Sequence, residues 1–487
     1  MSTGDALWTP PAGSIPTLPV PDLSGVRRAH LVGIGGAGMR NLARLLLARG
    51  ISVHGSDLKR SRAIDDLEDA GIVVQVGHSA AAVRNTPRPD VVITSSAIAA
   101  DNPELRAAED DGIAVWRRQQ AVAALAAGRR AVAVSGTHGK TTTTSMLTSV
   151  LIGAGLDPSY LIGGDLNETG GGAGEGRGEA FVFEADESDG SFLLGSPAIG
   201  VITNVDVDHV DFYPGGRDEI EHAFARFAAG CAVVVACGDD EGAGRALSLA
   251  GVDPITYGLG RRSRYAVRVE HLGPDGARGT VRIDGENLVL SLRIDGAHNL
   301  LDAAAAIATA HAMGVEPAVA ADALASFGGV HRRFELRGRA RDAEFFDDYG
   351  QTPTEMAVTI DTARRRRPGR LIALVQPHRY WRVQALWREL GASVVGADVV
   401  VVTDVYGAAQ SPIPGVTGQL VADGVVEAAT ARDDGATPTV VYLPHRADVV
   451  TYLADEVRAG DLVVTMGCGD VWLLGDAVRE RIAELDR

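Results

Sequence analysis

Chemistry is most concentrated in the run Ser135-Gly136-Thr137-His138-Gly139-Lys140-Thr141-Thr142, where a lysine closes a glycine loop. Only two of the 46 basic residues are lysines, so arginine stands almost everywhere else. Arginine's planar fork does not replace a compact ammonium beside a phosphate chain, which makes the surviving Lys140 informative. Ala131–Val134 reads as a buried strand and the threonine run after Lys140 as a helix start. Backbone N–H groups of such a turn face an anion, with the helix dipole behind them. Lys140 then reaches the outer phosphates and the Thr141 hydroxyl ligates Mg2+. Position 134 is valine where the strict phosphate-loop pattern has glycine, so the match is the shorter GTxGKT form. We read Gly136, Thr137, His138, Gly139, Lys140, Thr141 and Thr142 as an ATP-binding loop.

A second glycine motif lies upstream, Gly33-Ile34-Gly35-Gly36-Ala37-Gly38, with Asp57 about 20 residues on, after another strand. Its glycines admit a pyrophosphate and its acid meets a ribose hydroxyl. The motif alone suits NAD or any diphosphate-bridged nucleotide, a UDP-sugar included. With the ATP loop 100 residues on, two phosphate-bearing ligands fit a ligase better than a dehydrogenase. Glu184-Ala185-Asp186-Glu187-Ser188-Asp189-Gly190 follows the apolar strand Phe181–Phe183, where a Mg2+ site is expected; a solvated acidic loop is the bland alternative. Asp206-Val207-Asp208-His209 follows another buried strand, so His209 either ligates a second metal, orients a carboxylate or closes a polar turn. Two metal ions would neutralise charge as a phosphoryl group moves. His298-Asn299 caps a helix or packs on a base. Arg332-Arg333 sits in a connector, from which it reaches bound phosphates or makes an interdomain ion pair.

The elements that must position these groups alternate along the chain. Strands at Ala29–Ile34, Ser52–Gly55, Val73–Val76 and Val91–Thr94 interleave with helices at Asn41–Ala48 and Ile64–Ala70, the pattern of a parallel α/β sheet. Residues 1–24, with five prolines, read as a flexible arm. Domains are expected at 25–125, 126–335 and 336–487. The middle one carries strands at Phe181–Phe183, Ile199–Thr203 and Ala232–Ala236 and a small antiparallel insert at Tyr265–Arg293. The last carries strands near Glu344–Asp347, Leu371–Val375, Val399–Thr403 and Asp461–Met466.

Composition sets the outer limits. The chain of 487 residues suggests about three domains. It is 46% hydrophobic and 22% charged, as ordinary globular proteins are. A net charge of −17 argues against nucleic-acid or membrane partners. Three cysteines with no CxxC pair suit a reducing compartment without a disulfide framework or zinc site. No signal peptide is recognisable and no apolar run approaches 18 residues, so a soluble, cytoplasmic enzyme is expected, monomeric or weakly homodimeric.

With these motifs placed, residues 28–487 resemble the Mur ligases, and within them the alanine-adding branch. The shared stretches recur in family order: HLVGIGGAGM (30–39), GSD (55–57), TSSAI (94–98), GTHGKTTTTSM (136–146), GGDLN (163–167), EADESDGSF (184–192), TNVDVDHVDFY (203–213), GAHN (296–299), GGVHRRFE (328–335), DDYG (347–350), QPHRY (376–380), DVYGAAQSPIPGV (404–416) and MGCGD (466–470). The resemblance implies three α/β domains: a Rossmann-like UDP-binding domain, a central P-loop ATPase domain and a C-terminal Rossmann-like closing domain. It implies ATP-dependent activation of the lactyl carboxylate of UDP-N-acetylmuramate as an acyl phosphate, then attack by an amino acid, L-alanine favoured, in cell-wall precursor synthesis. Gly35, Gly36, Gly38, Asp57, Ser95 and Ser96 would serve the UDP-substrate. Lys140, Glu184, His209 and Arg379 would be catalytic, with Thr141, Glu184 and His209 on two Mg2+ ions. Several sibling ligases place a carbamylated lysine there; no second lysine occurs in this domain, which agrees with His209 in that role. Asn299, Arg332 and Asp347 would serve ATP, and Tyr349, His378 and Arg379 the acceptor end.

Departures from the family gather at the substrate and acceptor end. Gln351-Thr352 stands where two histidines are usual before Pro-Thr-Glu. Arg40-Asn41 replaces a small Ser-Gly pair, so the arginine braces or blocks the diphosphate. Trp381 and Val383 replace small and hydroxyl residues, and Asp302 an asparagine. A different amino-acid or peptide acceptor, or a catalytically silent nucleotide-binding homologue, are the alternatives these departures leave open.

Overall fold

The computed structural model describes residues 19–487 apart from 86, 96–97, 168–169, 189, 210–211, 409 and 433–436. Ser96, Asp189 and most of the N-terminal arm therefore lie outside the described residues. The chain divides into two compact units, one reaching His271 and including Gly276–Gly328, the other comprising Leu272–Asp275 and Gly329–Arg487.

The first unit holds two sheets. One has the strand order Val73–Val76, Ser52–Asp57, Arg28–Val32, Val91–Thr94, Ala114–Arg117, all parallel. Strand order reverses beside Arg28–Val32, so the crevice at the carboxyl ends of Arg28–Val32 and Val91–Thr94 is the natural ligand site. The Gly33–Gly38 loop and Ser95 lie there. The other sheet has ten strands. At its centre Arg130–Ser135 runs parallel to Ile199–Ile202 on one side and Ala180–Glu184 on the other. The carboxyl ends of these three strands bring the phosphate loop, the acidic loop and the Thr203–His209 loop together. The antiparallel strands expected within Tyr265–Arg293 extend this sheet rather than standing apart, because Tyr257 pairs in parallel with Tyr265.

One apolar cluster runs through both sheets, from Leu31, Leu42 and Leu45 to Leu161, Phe181 and Phe224. Helix Ala37–Ala48 connects them. Its Asn41 is fully buried and donates to the Ile162 carbonyl at 3.0 Å, and Arg40 pairs with Asp165. The unusual Arg40-Asn41 pair therefore braces the first glycine loop against the middle sheet. Behind the phosphate loop, helix Lys140–Gly153 packs on Ala297–Ala312, whose buried alanines permit close approach.

The second unit has the strand order Glu335–Ala340, Ala343–Asp348, Leu462–Met466, Leu371–Val375, Val399–Val402, Thr439–Tyr442. All neighbours are parallel except the first hairpin. Apolar clusters cover the two faces, one around Met356, Val375 and Val383, the other around Phe345, Leu453 and Val478.

Candidate active site

Two glycines of the phosphate loop are fixed by geometry. Gly136 has φ +140°, and a Cβ there would lie 1.9 Å from Thr203 Oγ1. Gly139, at φ +79°, precedes the helix and would bring a Cβ to 2.9 Å from Asp302 Oδ1. Thr143 donates to that same Asp302 oxygen at 3.1 Å, which gives the substituted aspartate a structural partner. The loop is tied to the neighbouring strand end: the Thr137 and His138 amides donate to Asn204, and the Asp206 amide donates to Thr137 Oγ1. Thr142 is buried in the first helical turn.

Lys140 is nearly enclosed. Its ammonium donates to the Gly136 carbonyl at 2.6 Å and to both oxygens of Glu187, at 3.0 and 2.8 Å. Burial disfavours the ammonium, but Glu187, Asp186 and Glu184 outweigh it and hold the lysine above its ordinary value. Burial pushes the Glu187 carboxyl up to about 7, against the pull of Lys140. The direction that governs this coupled pair is a charged Lys140, because three carboxylates face it. Glu187 carried no role in the sequence reading. Nothing in a run of four acids distinguishes the one that meets Lys140 from the one that ends the strand.

Glu184 ends its strand, and its Oε2 accepts from Thr141 Oγ1 and the Gly163 amide, both at 2.9 Å. His209 lies on the next loop at φ +52°, with Nε2 3.8 Å from Glu187 Oε1 and 3.5 Å from Asp208 Oδ2. Thus Glu184 meets Thr141, while His209 meets the Lys140–Glu187 pair. No group of three or more His, Cys, Asp or Glu among the described residues is arranged to hold a metal by side chains alone. Mg2+ suits such a place, since it keeps waters and shares phosphate oxygens instead of using an all-protein cage.

At the first glycine loop, the Gly35 amide donates to Asp57 Oδ2 at 2.9 Å, and the Ser56 carbonyl accepts from Gly33 and Ile34. Gly36 begins helix Ala37–Ala48. A Cβ on Gly38 would sit 2.2 Å from Arg118 Nη1, and Arg118 also reaches Asp186 at 3.4 Å. Arg118 therefore spans the two loops. In a chain this rich in arginine, no sequence signal picks it out.

Asn299 does not cap its helix. Gly296, at φ +120°, is the cap, and Asn299 donates to the Asp295 carbonyl from the first turn. In the second unit, Asp347 is wholly buried, accepting from Arg332 Nε at 2.8 Å and from Thr465 Oγ1. Arg332 also donates to the carbonyls of Gly467 and Gly469 and lies under the Tyr349 ring. The structure thus brings these two expected nucleotide ligands to each other. His378 stacks on Tyr406, and Arg379 takes a left-handed φ of +64° while its amide donates to the Tyr406 carbonyl. Arg382 donates to Gln351 Oε1 at 3.1 Å and contacts His378 Nδ1 at 3.0 Å.

Comparisons with known proteins agree along most of the chain. Family models match at residues 28–130 (Mur ligase family, catalytic domain), 134–310 (Mur ligase middle domain) and 332–469 (Mur ligase, glutamate ligase domain). UDP-N-acetylmuramate–L-alanine ligase of Desulforamulus reducens is 41% identical, with 94% of this chain and 98% of the relative covered. The enzyme of the same name from Kineococcus radiotolerans is 44% identical over 94% of this chain and 96% of its own. Among solved structures, UDP-N-acetylmuramate-alanine ligase of Thermotoga maritima superposes with a TM-score of 0.79 at 27% identity, covering 94% of this chain and 99% of that one. The murein peptide ligase of Psychrobacter arcticus shares the fold at a TM-score of 0.69 and 24% identity, covering 94% and 98%. The chain belongs to the Mur ligase family.

Proposed function

We propose that this chain joins L-alanine to the lactyl carboxylate of UDP-N-acetylmuramate at the expense of ATP. The observation that carries the reading is the placement of both glycine loops in one unit, with Arg118 beside Gly38 of the first and reaching Asp186 of the acidic loop that meets Lys140 of the second. A lactyl oxygen attacks the γ-phosphorus of ATP, the bond to the bridging oxygen breaks, and ADP leaves. The alanine amine then attacks the acyl carbon, the C–O bond to phosphate breaks, and a proton leaves the nitrogen as the amide forms.

Lys140 exchanges Glu187 for the outer phosphates and stays charged throughout. Thr141 and Glu184 would hold one Mg2+ and His209 would help to hold a second. Bound there, the metal supplies charge neutralisation at the transferring phosphoryl group. The Gly35–Gly38 amides receive the UDP diphosphate, with Asp57 and Ser95 beside its ribose, and Arg118 lies between the two polyanions. Asn299 serves the adenine side of ATP. Arg332 positions Asp347, while Tyr349, His378 and Arg379 form the acceptor end. Residues 25–125, 126–335 and 336–487 thereby serve the UDP-sugar, ATP and acceptor. Among the described residues no helix is long and apolar enough to cross a membrane. Nucleotide substrates place the reaction in the cytoplasm, with a monomer or weak homodimer as the working form.

Phosphate release measured with ATP, Mg2+, UDP-N-acetylmuramate and each amino acid in turn tests the reading. L-Alanine should stimulate release most. Preference for another acceptor would favour a divergent ligase, and nucleotide binding without turnover would favour a silent homologue.

A further inference from the structure

One peptide group joins the helix behind the first glycine loop to the acid that ends strand Ala180–Glu184. Asn41, in the first turns of helix Ala37–Ala48, is fully buried, and its Nδ2 donates to the Ile162 carbonyl of strand Ser159–Leu166 at 3.0 Å. The N–H of that same peptide group is the Gly163 amide, which donates to Glu184 Oε2 at 2.9 Å. A planar trans peptide points its carbonyl and its N–H to opposite sides, so bonds at its two ends orient and polarise one another. Glu184 Oε2 also accepts from Thr141 Oγ1 at 2.9 Å. Three hydrogen bonds therefore lead from the helix of the first glycine loop to the phosphate loop. A carbonyl has no donor, so the Asn41 amide must turn its nitrogen toward Ile162. Its oxygen is buried and meets no donor among the described residues. A buried acceptor left so costs more than one neutral hydrogen bond returns, and an apolar side chain would stabilise this position better. The fold makes room for the amide all the same: a Cβ on Gly172, in the facing strand Gly171–Gly174, would lie 2.1 Å from Asn41 Nδ2. What Asn41 contributes is direction rather than stability.

We propose that Asn41 is a positioning residue for phosphoryl transfer: through the Ile162–Gly163 peptide it fixes Glu184 beside Thr141 and sets the spacing between the two glycine loops. The γ-phosphorus held on one loop and the lactyl oxygen held from the other must meet in line, and a misplacement of about 1 Å costs about a hundredfold in rate. Mg2+ adds to that demand, since its near-ideal octahedral geometry tolerates little displacement of a ligand. The device is particular to this chain, whose Asn41 replaces a small residue. This assignment rests on the ligase reading above.

Asn41→Leu fills the same space without a donor. In steady-state ligation by the full chain it should lower kcat about ten- to a hundredfold and leave the KM for ATP and for UDP-N-acetylmuramate within about twofold. Mn2+, standing in for Mg2+ and followed by electron paramagnetic resonance, should bind the ADP complex of this variant about tenfold more weakly. Asn41→Asp keeps the shape, but its acid donates to Ile162 only while protonated. Its kcat should therefore fall more steeply with rising pH than that of the unaltered chain or of Asn41→Leu. An unchanged kcat in a folded Asn41→Leu would overturn the proposal. So would KM values that rise together for both substrates with Mn2+ affinity unchanged, or loss of folding in both variants, since each marks a purely structural role. Absence of alanine-dependent turnover in the unaltered chain would refute the ligase reading, and Mn2+ affinity in the two variants would then decide whether Asn41 places Glu184.

Discussion

Replacing Lys140 by alanine separates the lysine's electrostatic role from the catalytic one proposed for it. Lys140 and Glu187 have side chains only 13% and 4% exposed, so Lys140→Ala strands a carboxylate away from water. Removing one partner of a buried pair costs about 3–5 kcal/mol. Glu187 escapes part of that penalty by taking a proton. Its carboxyl is already raised from 4.5 to about 7 with the lysine present, and it rises further without it. A carboxyl raised on folding contributes stability that is full below its unfolded value and is lost as pH climbs through the folded value. The deficit of Lys140→Ala against the unaltered chain should therefore stay small up to about pH 7, where Glu187 keeps its proton in both, and grow above it by about 1.4 kcal/mol per pH unit. Glu187→Gln supplies a neutral side chain of the same shape, so the double variant should regain at least about 2 kcal/mol over Lys140→Ala at pH 8. Urea unfolding of the four members of this cycle measures the coupling. Phosphate release should be abolished in Lys140→Ala and in the double variant alike, with UDP-substrate binding retained. A double variant no more stable than Lys140→Ala would refute the ion-pair reasoning, and retained turnover would refute the loop assignment.

Three further outcomes follow from the same geometry. Gly136→Ala places a methyl group against Thr203 and should lower turnover by about a hundredfold or more, with UDP-substrate affinity in calorimetry unchanged. Arg118→Ala should raise the KM for the UDP-substrate by about tenfold, while ADP affinity measured by titration stays constant. Buried His54 has its pKa lowered to about 4 by burial and by neighbouring His30. A histidine depressed on folding contributes stability above its unfolded value that is lost on acidification. The chain should thus lose about 3 kcal/mol from this group between pH 6.5 and 4, and melting curves of His54→Gln should show a flatter slope there.

Much of this was legible in the sequence, because strand ends announce themselves. A buried apolar run followed by Gly136–Lys140, by Glu184 or by Asp206–His209 places each group at the carboxyl end of a parallel strand, and adjacency in the sheet does the rest. What the chain could not announce were pairings between distant residues. Asn41 meeting the Ile162 carbonyl joins the first two sheets in one unit, yet Asn41 looked only like a departure beside a glycine loop. Arg332 and Asp347 each read as nucleotide ligands, and each satisfies the other. Gly296, not His298-Asn299, caps its helix because the left-handed turn needs a residue without a Cβ. Glu187 was hidden among equals, since only the loop's curvature selects which acid meets the lysine.

The clamp on Lys140 also bears on self-inflicted damage. An acyl phosphate is an electrophile that any free amine will capture, and an enzyme that makes one risks acylating itself. Arginine, charged at every working pH, is a poor nucleophile, and arginines make up nearly all the basic residues. Lys140, in the phosphate loop, is kept as an ammonium by Glu187 and its acidic neighbours, with no lone pair to offer. The protein thereby silences its own nearby amine, leaving the amino acid that diffuses in as the nucleophile the intermediate meets.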